Sequence, residues 1–387
     1  MNESPAVNSL SAGDLVGLVH SVFPPFPGDR LLAVLVDLPH DPASDNAPWR
    51  ERRGLAAAWA AALRDGATEL QLEGVDLIAY PDVGSNNADL PAEAFLIESD
   101  LPDGAAGLAA AGRAIAFEEV FASHQLYLAP TEFSTTAPLK NAAKRFGFRA
   151  ATMPGFAASM VPALRIDYGL VAERVMVLKD RLDAAAQAEI ILVADGLPHF
   201  LTLDLRHRTA HSSTGRFPEA GTAGNLPSGE AYIVPFEGGL GDPSQSAGTL
   251  PVDTGRGLVV FTIAANRAVE VRGEEPAWTE EADHLRREPA YGNMAELGFG
   301  VLADFGLDPV GEILLDEKLG LHIAFGRSDH FGGAVGPKDF STPAEVIHLD
   351  RIYIPQSQPR VAVRSVVLVG PDGGREEIIR DGTYRIF

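Results

Sequence analysis

The sequence contains no cysteine among its 387 residues. This absence excludes disulfide bonds, iron–sulfur clusters, thiolate zinc fingers and a thiol nucleophile. Long apolar runs are also missing, since no hydrophobic stretch is long enough to cross a bilayer. The first residues carry no basic region followed by an apolar one, so the sequence predicts no leader peptide and a cytoplasmic protein.

Motifs that bind phosphates or activate a serine are missing as well. Neither type of nucleotide-binding glycine loop occurs, and the pattern Gly-x-Ser-x-Gly is absent. A nucleotide-binding domain and a serine hydrolase therefore have no support from motifs. His124, His207 and His211 could line a cleft, but such histidines are more often surface or core polar groups.

Positive charge is scarce. The chain has 31 lysines and arginines against 53 aspartates and glutamates, which gives a net charge of −22. A surface of this sign repels phosphate backbones and anionic membranes, so we expect neither nucleic acid nor a membrane as a partner. The hydrophobic content of 46% is sufficient to build proper cores in two or three domains.

The first half of the chain alternates strand-like and helix-like segments. A continuous apolar run at 28–37 is typical of a buried parallel strand, and an alanine-rich helix follows at 49–64. Further strands are predicted at 70–80, 94–97, 126–128 and 149–152, with helices at 104–113 and 137–146 between them. This alternation predicts an α/β domain with a mostly parallel sheet, which we assign to residues 1–188 after a helix at 167–186.

Beyond residue 188 the pattern changes to short strands separated by glycine, proline and aspartate. It predicts a mostly antiparallel, β-rich domain at 189–387, with one helix near 279–287 and a hairpin at 361–379. A mobile loop or insertion is expected at 238–246. The other predicted strands lie at 189–194, 200–205, 231–234, 257–264, 268–272 and 312–315.

Two short apolar runs in this second domain carry histidine. His322 lies in one, and the other contains His348 and Asp350, which the two-residue period of a strand places on the same face. Both are metal-ligand types. A core histidine paired with a carboxylate is the alternative interpretation of this pattern.

Two glutamates strengthen the metal interpretation. Glu230 and Glu296 each lie among glycines and apolar residues in strand-like segments without other charge. A buried, unpaired carboxylate costs several kcal/mol or takes up a proton, so both need partners. Together with the two imidazoles and Asp350, they form a mixed set that suits one or two ions such as zinc, cobalt or manganese.

The order and spacing of these residues resemble the M29 family of metallo-aminopeptidases, which includes aminopeptidases T and S. The matching segments are Asn225-Leu-Pro-Ser-Gly-Glu230-Ala, Glu296 at 66 residues from Glu230 (296 minus 230), Asp316-Glu317-x(4)-His322-x-Ala-x-Gly and His348-x-Asp350. The resemblance extends well over residues 190–387 and in outline over 131–155. It implies that Glu230, Glu296, His322, His348 and Asp350 are the metal ligands.

One family position differs in this chain. The family has a tyrosine seven residues after the first metal histidine, where this sequence has Asp329, followed by His330. Either residue could coordinate an ion directly, or residues 327–333 could form a flexible loop that binds substrate.

The resemblance implies a hydrolase that removes N-terminal residues from short peptides or small amides. Two divalent ions would activate a water molecule, and Glu296 or Glu317 would move its proton. A structural ion pair with Lys318 is the alternative role for Glu317. The family's enclosed, dimeric site further implies a homodimer.

Three other functions are compatible with the same residues. Ring-cleaving dihydroxypyridine dioxygenases are similar to this family, and His322, His348 and Asp350 would serve a single Fe(II) ion. The second alternative is an amidase. The third is a peptide-binding or amide-binding homologue that has lost turnover, which the change at Asp329 favours.

Overall fold

The structure is a computed structural model that describes residues 9–239 and 241–387. The segment 1–8, on which the leader prediction was based, and Leu240, within the predicted loop 238–246, lie outside the described residues. Within the described part of the chain, no helix combines the length and the apolar character needed to span a membrane.

The chain forms two compact units built from interleaved segments. Unit 1 comprises residues 1–172, 215–228 and 310–315, and unit 2 comprises 173–214, 229–309 and 316–387. The helices of the described residues are α1 Ala12–Val22, α2 Ala47–Asp65, α3 Leu108–Ala111, α4 Phe117–Ser123, α5 Thr136–Phe146, α6 Tyr168–Ala184, α7 Ala277–Arg287 and α8 Ile313–Asp316.

The strands make three sheets. In chain order they are β1 Leu31–Leu38, β2 Gly74–Pro81, β3 Glu93–Ile97, β4 Gly112–Ala116, β5 Leu126–Ala129, β6 Arg149–Thr152, β7 Gln187–Ala194, β8 Leu197–Asp204, β9 His211–Ser213, β10 Ala223–Asn225, β11 Glu230–Ile233, β12 Ala247–Asp253, β13 Leu258–Ala264, β14 Arg267–Gly273, β15 Met294–Gly300, β16 Leu321–Gly326, β17 His348–Ile352, β18 Val361–Val369, β19 Arg375–Arg380 and β20 Thr383–Tyr384.

Unit 1 contains a seven-stranded sheet in the order β10-β6-β5-β1-β2-β3-β4. The neighbouring strands from β10 to β2 pair in parallel, and β3 and β4 extend the sheet beyond β2 with antiparallel pairing. Asn46 caps the N-terminus of helix α2, and its side chain accepts a hydrogen bond from the backbone of Trp49 at 2.8 Å. The buried residues of this helix include Trp49 and Trp59.

Asp37, at the end of β1, is a fully buried carboxylate. It accepts hydrogen bonds from the backbone N–H groups of Glu132 (2.7 Å) and Phe133 (3.0 Å) and from the indole of Trp49 (3.2 Å). Burial raises its pKa to about 6, although the backbone hydrogen bonds act in the opposite direction.

Unit 2 contains two antiparallel sheets. The larger has eight strands in the order β14-β13-β12-β8-β7-β18-β19-β20, and the smaller has five in the order β17-β16-β15-β11-β9. The sheets pack through buried aromatic side chains, with the rings of Phe261 and Phe325 at 5.0 Å. The predicted fold class, an α/β part with a mostly parallel sheet and a mostly antiparallel β-rich part, is confirmed.

Several predicted elements need correction. The segment 312–315, predicted as a strand, belongs to the helix α8. The predicted helix at 104–113 is a short 3₁₀ turn followed by α3, and its last residues begin the strand β4. The helix α1 was not predicted from the sequence, although the side chain and backbone of Ser11 exchange hydrogen bonds with Asp14 in a capping box.

Candidate metal centre

One face of the five-stranded sheet carries the predicted ligands. Glu296 on β15 lies opposite Ala324 on β16, which in turn lies opposite Asp350 on β17. In the next row, Gly298 lies opposite His322. Since directly paired residues project from the same face, the register itself brings these side chains together.

Glu230 joins the same face from β11. It pairs with Gly300, and Tyr232, two residues further on, pairs with Gly298. Because Gly298 and Gly300 have no side chains, they leave room on this face for the side chains of Glu230 and His322. A Cβ atom on Gly298 would lie 1.9 Å from Nε2 of His322, so the imidazole ring lies directly across this backbone position.

The ligand atoms form two groups that share one residue. Glu230, Glu296 and His322 make one group, and Glu296, His348 and Asp350 make the other, with the ligand atoms within 4.8 Å of one another in each. Oε1 of Glu296 is 3.2 Å from Nε2 of His322, while Oε2 is 3.4 Å from Nε2 of His348. Glu296 is therefore the carboxylate that the two groups share, with one oxygen near each imidazole.

Both imidazoles are oriented as metal ligands usually are. His348 donates from Nδ1 to the carbonyl of Arg327 at 2.7 Å, and Nδ1 of His322 is 3.3 Å from the carbonyl of Gly320. A carbonyl at Nδ1 fixes the proton there and leaves the Nε2 lone pair free to bind an ion. Each Nε2 faces the carboxylates, at 3.5 Å from Glu230 and 3.6 Å from Asp350 respectively.

A buried oxygen that lacks a hydrogen bond supports the assignment. Among the described residues, none donates a hydrogen bond to Oε2 of Glu230, which is only 6% exposed and has Nε2 of His322 3.5 Å away. A buried, unsatisfied carboxylate oxygen is costly, and a cation beside it removes that cost. The chemistry of the donor set, carboxylates with imidazoles, fits a divalent ion of the zinc, cobalt or manganese type.

The other oxygen of Glu230 is held by Lys318, which was predicted from the sequence only as an alternative ion-pair partner of Glu317. The lysine lies on the 3₁₀ turn Glu317–Leu319 and is 2% exposed. Its ammonium is 2.6 Å from Oε1 of Glu230 and also contacts the carboxylate of Glu317. Lys318 therefore supplies one positive charge at the inner end of the centre.

The electrostatics of the site separate its acidic groups. Burial raises the pKa of Glu317 to about 7, with Lys318 acting against the rise and Glu230 adding to it. For Glu296, burial also acts upward, but hydrogen bonds from His322 and His348 outweigh it and hold its pKa well below the ordinary value. Glu317 is thus the carboxyl group in this centre whose pKa is raised to near neutrality.

The pKa values of both imidazoles are raised. Burial disfavours their charged form, yet hydrogen bonds and the nearby carboxylates raise the pKa of His322 to about 9 and that of His348 well above its ordinary value. The carboxylates around the two rings therefore favour the doubly protonated, cationic form of each imidazole. An ion that binds there displaces these protons.

The centre is closed at one end and open at the other. His322 is 1% exposed, whereas the side chains of His348 and Asp350 are 19% and 11% exposed. Rings surround the open end. Phe331 packs on Tyr232 and on His348, with ring centroids 4.9 and 5.6 Å apart, respectively.

Asp329 and His330 lie near this opening but outside both ligand groups. Oδ1 of Asp329 is 2.6 Å from Nε of Arg327 and 3.6 Å from Nδ1 of His330. The ring of His330 is 5.2 Å from that of His348, and burial together with the positive charges of His348 and Arg327 lowers its pKa to about 4. Direct coordination by either residue stays a prediction.

Of the three other histidines considered in the sequence, His211 lies beside the centre. Its ring stacks on Tyr232 at 5.2 Å, and its Nε2 is 3.0 Å from the carbonyl of Phe331. His124 is buried in unit 1, where it pairs with Asp76. His207 has a half-exposed side chain next to Asp242.

No family model and no curated protein match the sequence. Among solved structures, the chain is similar to 2,5-dihydroxypyridine dioxygenase from Pseudomonas putida KT2440, with a TM-score of 0.58 and 16% identity over 97% of this chain and 98% of that one. It is also similar to wild-type AmpT from Thermus thermophilus, with a TM-score of 0.53 and 14% identity over 97% and 99% of the two chains.

At these identities, both similarities show the fold alone. AmpT, an aminopeptidase T of the M29 family, supports the M29 resemblance at the level of the fold and not a specific member. The dioxygenase is an equally close neighbour, so the fold by itself does not choose between the two reactions.

Proposed function

We propose that this protein is a two-metal aminopeptidase that acts on short peptides or small amides. The observation that carries the proposal is the shared position of Glu296, which joins two ligand groups with one imidazole each. A mononuclear iron site of the two-histidine, one-carboxylate type needs both imidazoles on one ion. Here His322 and His348 lie on opposite oxygens of the same carboxylate.

Charge balance also favours two ions. The centre contains the four carboxylates Glu230, Glu296, Glu317 and Asp350 and the ammonium of Lys318, a net charge of −3 when the imidazoles are neutral ligands. One divalent ion leaves a negative centre. Two divalent ions would change the net charge from −3 to +1, which is closer to neutrality for a centre that also binds water.

Bound divalent ions would supply a water of lowered pKa and polarise the scissile carbonyl. Glu230, Glu296, His322, His348 and Asp350 would hold them. Glu317, with its pKa raised to about 7, is suited to accept a proton near neutrality and return it to the leaving amine. Lys318 holds Glu317 and Glu230 in place.

The open end of the centre suits the N-terminal residue of a substrate. Tyr232 and Phe331 offer apolar ring surfaces for its side chain. The net charge of −22 favours the approach of its cationic ammonium group. A homodimer, as implied by the M29 resemblance, and a cytoplasmic location, as predicted from the sequence, remain part of the proposal.

The first test is metal content. Chelator-treated protein is reconstituted with Zn²⁺, Co²⁺ or Mn²⁺, dialysed and analysed for bound metal. We expect two ions per chain in the wild type, one in His348→Ala and neither bound tightly in Glu296→Ala, because Glu296 serves both groups. Glu281→Gln is the control, since Glu281 is a carboxylate with a 14% exposed side chain that pairs with Arg351 outside the centre.

The second test is hydrolysis of leucine, phenylalanine and methionine amides and dipeptides by the reconstituted protein. We expect metal-dependent release of the N-terminal residue, and a strong loss in Glu317→Gln. One iron per chain with oxygen uptake on 2,5-dihydroxypyridine would contradict the proposal and support the dioxygenase. Two bound ions without any hydrolysis would indicate a binding homologue that has lost turnover.

A further inference from the structure

A compact loop follows β16 and lies against the open end of the metal centre. Its backbone is closed by hydrogen bonds from Ser328 and Asp329 to the carbonyl of Val335, at 2.9 and 3.0 Å, and from Gly333 to the carbonyl of Ser328 at 3.0 Å. Arg327, where the loop begins, donates to the carbonyl of Ile347 at 2.7 Å. The loop 327–335 is therefore closed by its own backbone hydrogen bonds and joined at its start to the segment before β17.

The carboxylate of Glu237 holds this loop from inside. Its side chain is 5% exposed, and both oxygens accept two hydrogen bonds each. Oε1 accepts from Ser328 Oγ at 2.5 Å and from Asn293 Nδ2 at 2.9 Å. Oε2 accepts from the backbone of Ala334 at 2.6 Å and from Arg208 at 2.8 Å.

Only a carboxylate satisfies all four donors. Glutamine has one acceptor oxygen, and the NH₂ group in place of the second oxygen would face two donors with which it cannot form the present hydrogen bonds. Two of these donors form further hydrogen bonds with the loop, since Arg208 also donates to the carbonyl of Gly332 at 2.7 Å. Ser328 Oγ in turn accepts from the backbone of Val335 at 3.2 Å.

The loop is in direct contact with one of the proposed ligands. The carbonyl of Arg327 accepts the hydrogen bond from Nδ1 of His348 at 2.7 Å. The next residue along the chain, Ser328, is the one that Glu237 binds. Further round the loop, the rings of His330 and Phe331 pack edge-on against the imidazole of His348, at 5.2 and 5.6 Å.

We propose that Glu237, with Arg208 as its counter-ion, is a positioning residue that sets the orientation of His348 through the loop 327–335. The carboxylate fixes Ser328 and Ala334, these fix the carbonyl of Arg327, and that carbonyl fixes the imidazole. His322 takes its carbonyl partner from Gly320, so it does not depend on this loop. The inference rests on the proposed function, because it treats His348 as a metal ligand.

The test compares Glu237→Gln with Glu281→Gln. Both substitutions remove the charge of a carboxylate that pairs with an arginine, and Glu281 also accepts from Tyr291 at 2.6 Å. Only Glu237 contacts the loop. Ser328→Ala is a milder second variant, which removes one hydroxyl and keeps the charge pair.

Two measurements are made on each variant. Hydrogen–deuterium exchange of the metal-free protein is followed in peptides that contain residues 327–335, and Co²⁺ binding to chelator-treated protein is followed by its visible absorption. In Glu237→Gln and Ser328→Ala we expect faster exchange in the loop. We also expect one of the two Co²⁺ ions to bind at least about tenfold more weakly, since partners behind a ligand typically contribute that much. Glu281→Gln should change neither.

The outcomes separate this inference from the proposed function. A wild type that binds no Co²⁺ would overturn the proposed function, while the exchange data would still report on the loop. Unchanged exchange and unchanged affinity for both ions in Glu237→Gln and Ser328→Ala would overturn the inference alone. An equal loss in Glu281→Gln would also overturn it, because the effect would then be general destabilisation.

Discussion

Replacing Gly298 with alanine tests how closely the sheet and the metal centre are fitted together. The added Cβ would lie 1.9 Å from Nε2, 2.3 Å from Cε1 and 2.7 Å from Cδ2 of His322. Contacts below 3.0 Å are not tolerated, so the imidazole has to move. It has little room, since it is 1% exposed and lies between Glu230, Glu296 and the carbonyl of Gly320.

The expected cost follows from this geometry. Overpacking a tight core destabilises by about 1–3 kcal/mol, and the displaced ring also loses its contact with Glu296. We therefore expect Gly298→Ala to lower the free energy of unfolding by about 2 kcal/mol or more. It should also weaken the binding of the ion held by Glu230, Glu296 and His322.

A double-mutant cycle isolates the clash. Urea unfolding is followed by circular dichroism for Gly298→Ala, His322→Ala and the double variant. Because His322→Ala removes the ring that the methyl group meets, Gly298→Ala should cost much less in that background, with a coupling of at least about 1 kcal/mol. Gly54→Ala in α2 is the control. Apart from its chain neighbours and the backbone of its own helix, no atom of the described residues lies within 4 Å of its Cβ position, and we expect slight stabilisation.

Equal costs of Gly298→Ala in the two backgrounds would refute the reasoning. So would unchanged metal binding by the single variant, because the ring would then occupy a different place from the one described. Neither result depends on which reaction the protein catalyses.

Three further predictions follow from buried charges. Lys318→Met should lower the free energy of unfolding by about 3–5 kcal/mol, because it leaves two buried carboxylates without their cation. Urea unfolding measures this cost. The control is Lys179→Met, which removes a more exposed ion pair worth less than about 1 kcal/mol. The raised pKa of Asp37, about 6 against 3.8, means that its contribution to stability is complete below about pH 4 and is lost as the pH rises through 6. Relative to Asp37→Asn, the wild type should lose up to about 3 kcal/mol over that interval, measured by tryptophan fluorescence during denaturation, and a flat difference would contradict it. Saturating Zn²⁺ should raise the melting temperature and release protons at pH 7, because His322 has a pKa of about 9 without metal; calorimetry in buffers of different ionisation enthalpy measures the protons, and none released would count against the site.

Much of the metal centre could be predicted because strand geometry is regular. The two-residue period places His348 and Asp350 on one face, and the observed register adds Glu230, Glu296 and His322 to that face. The sequence alone could not supply the register, since pairing depends on contacts between distant segments. It therefore did not show that Glu296 lies between the two imidazoles.

The parts that were missed depend on irregular or distant structure. Lys318 lies on a 3₁₀ turn, where no periodic pattern marks a side chain as buried. Glu237 follows a strand by only a few residues, and its partners are 29 to 97 positions away. The apolar run before Asp316 was predicted as a strand and forms the helix α8, because a run of this length fits either structure.

Lys318 also bears on the order of events in the life of the protein. Small zinc domains stay unfolded without their metal, because their folding depends on the free energy of metal binding. In this chain an ammonium is built into the inner end of the centre and already offsets part of the carboxylate charge. We therefore expect the protein to fold before it binds metal and the folded, metal-free protein to bind its ions afterwards.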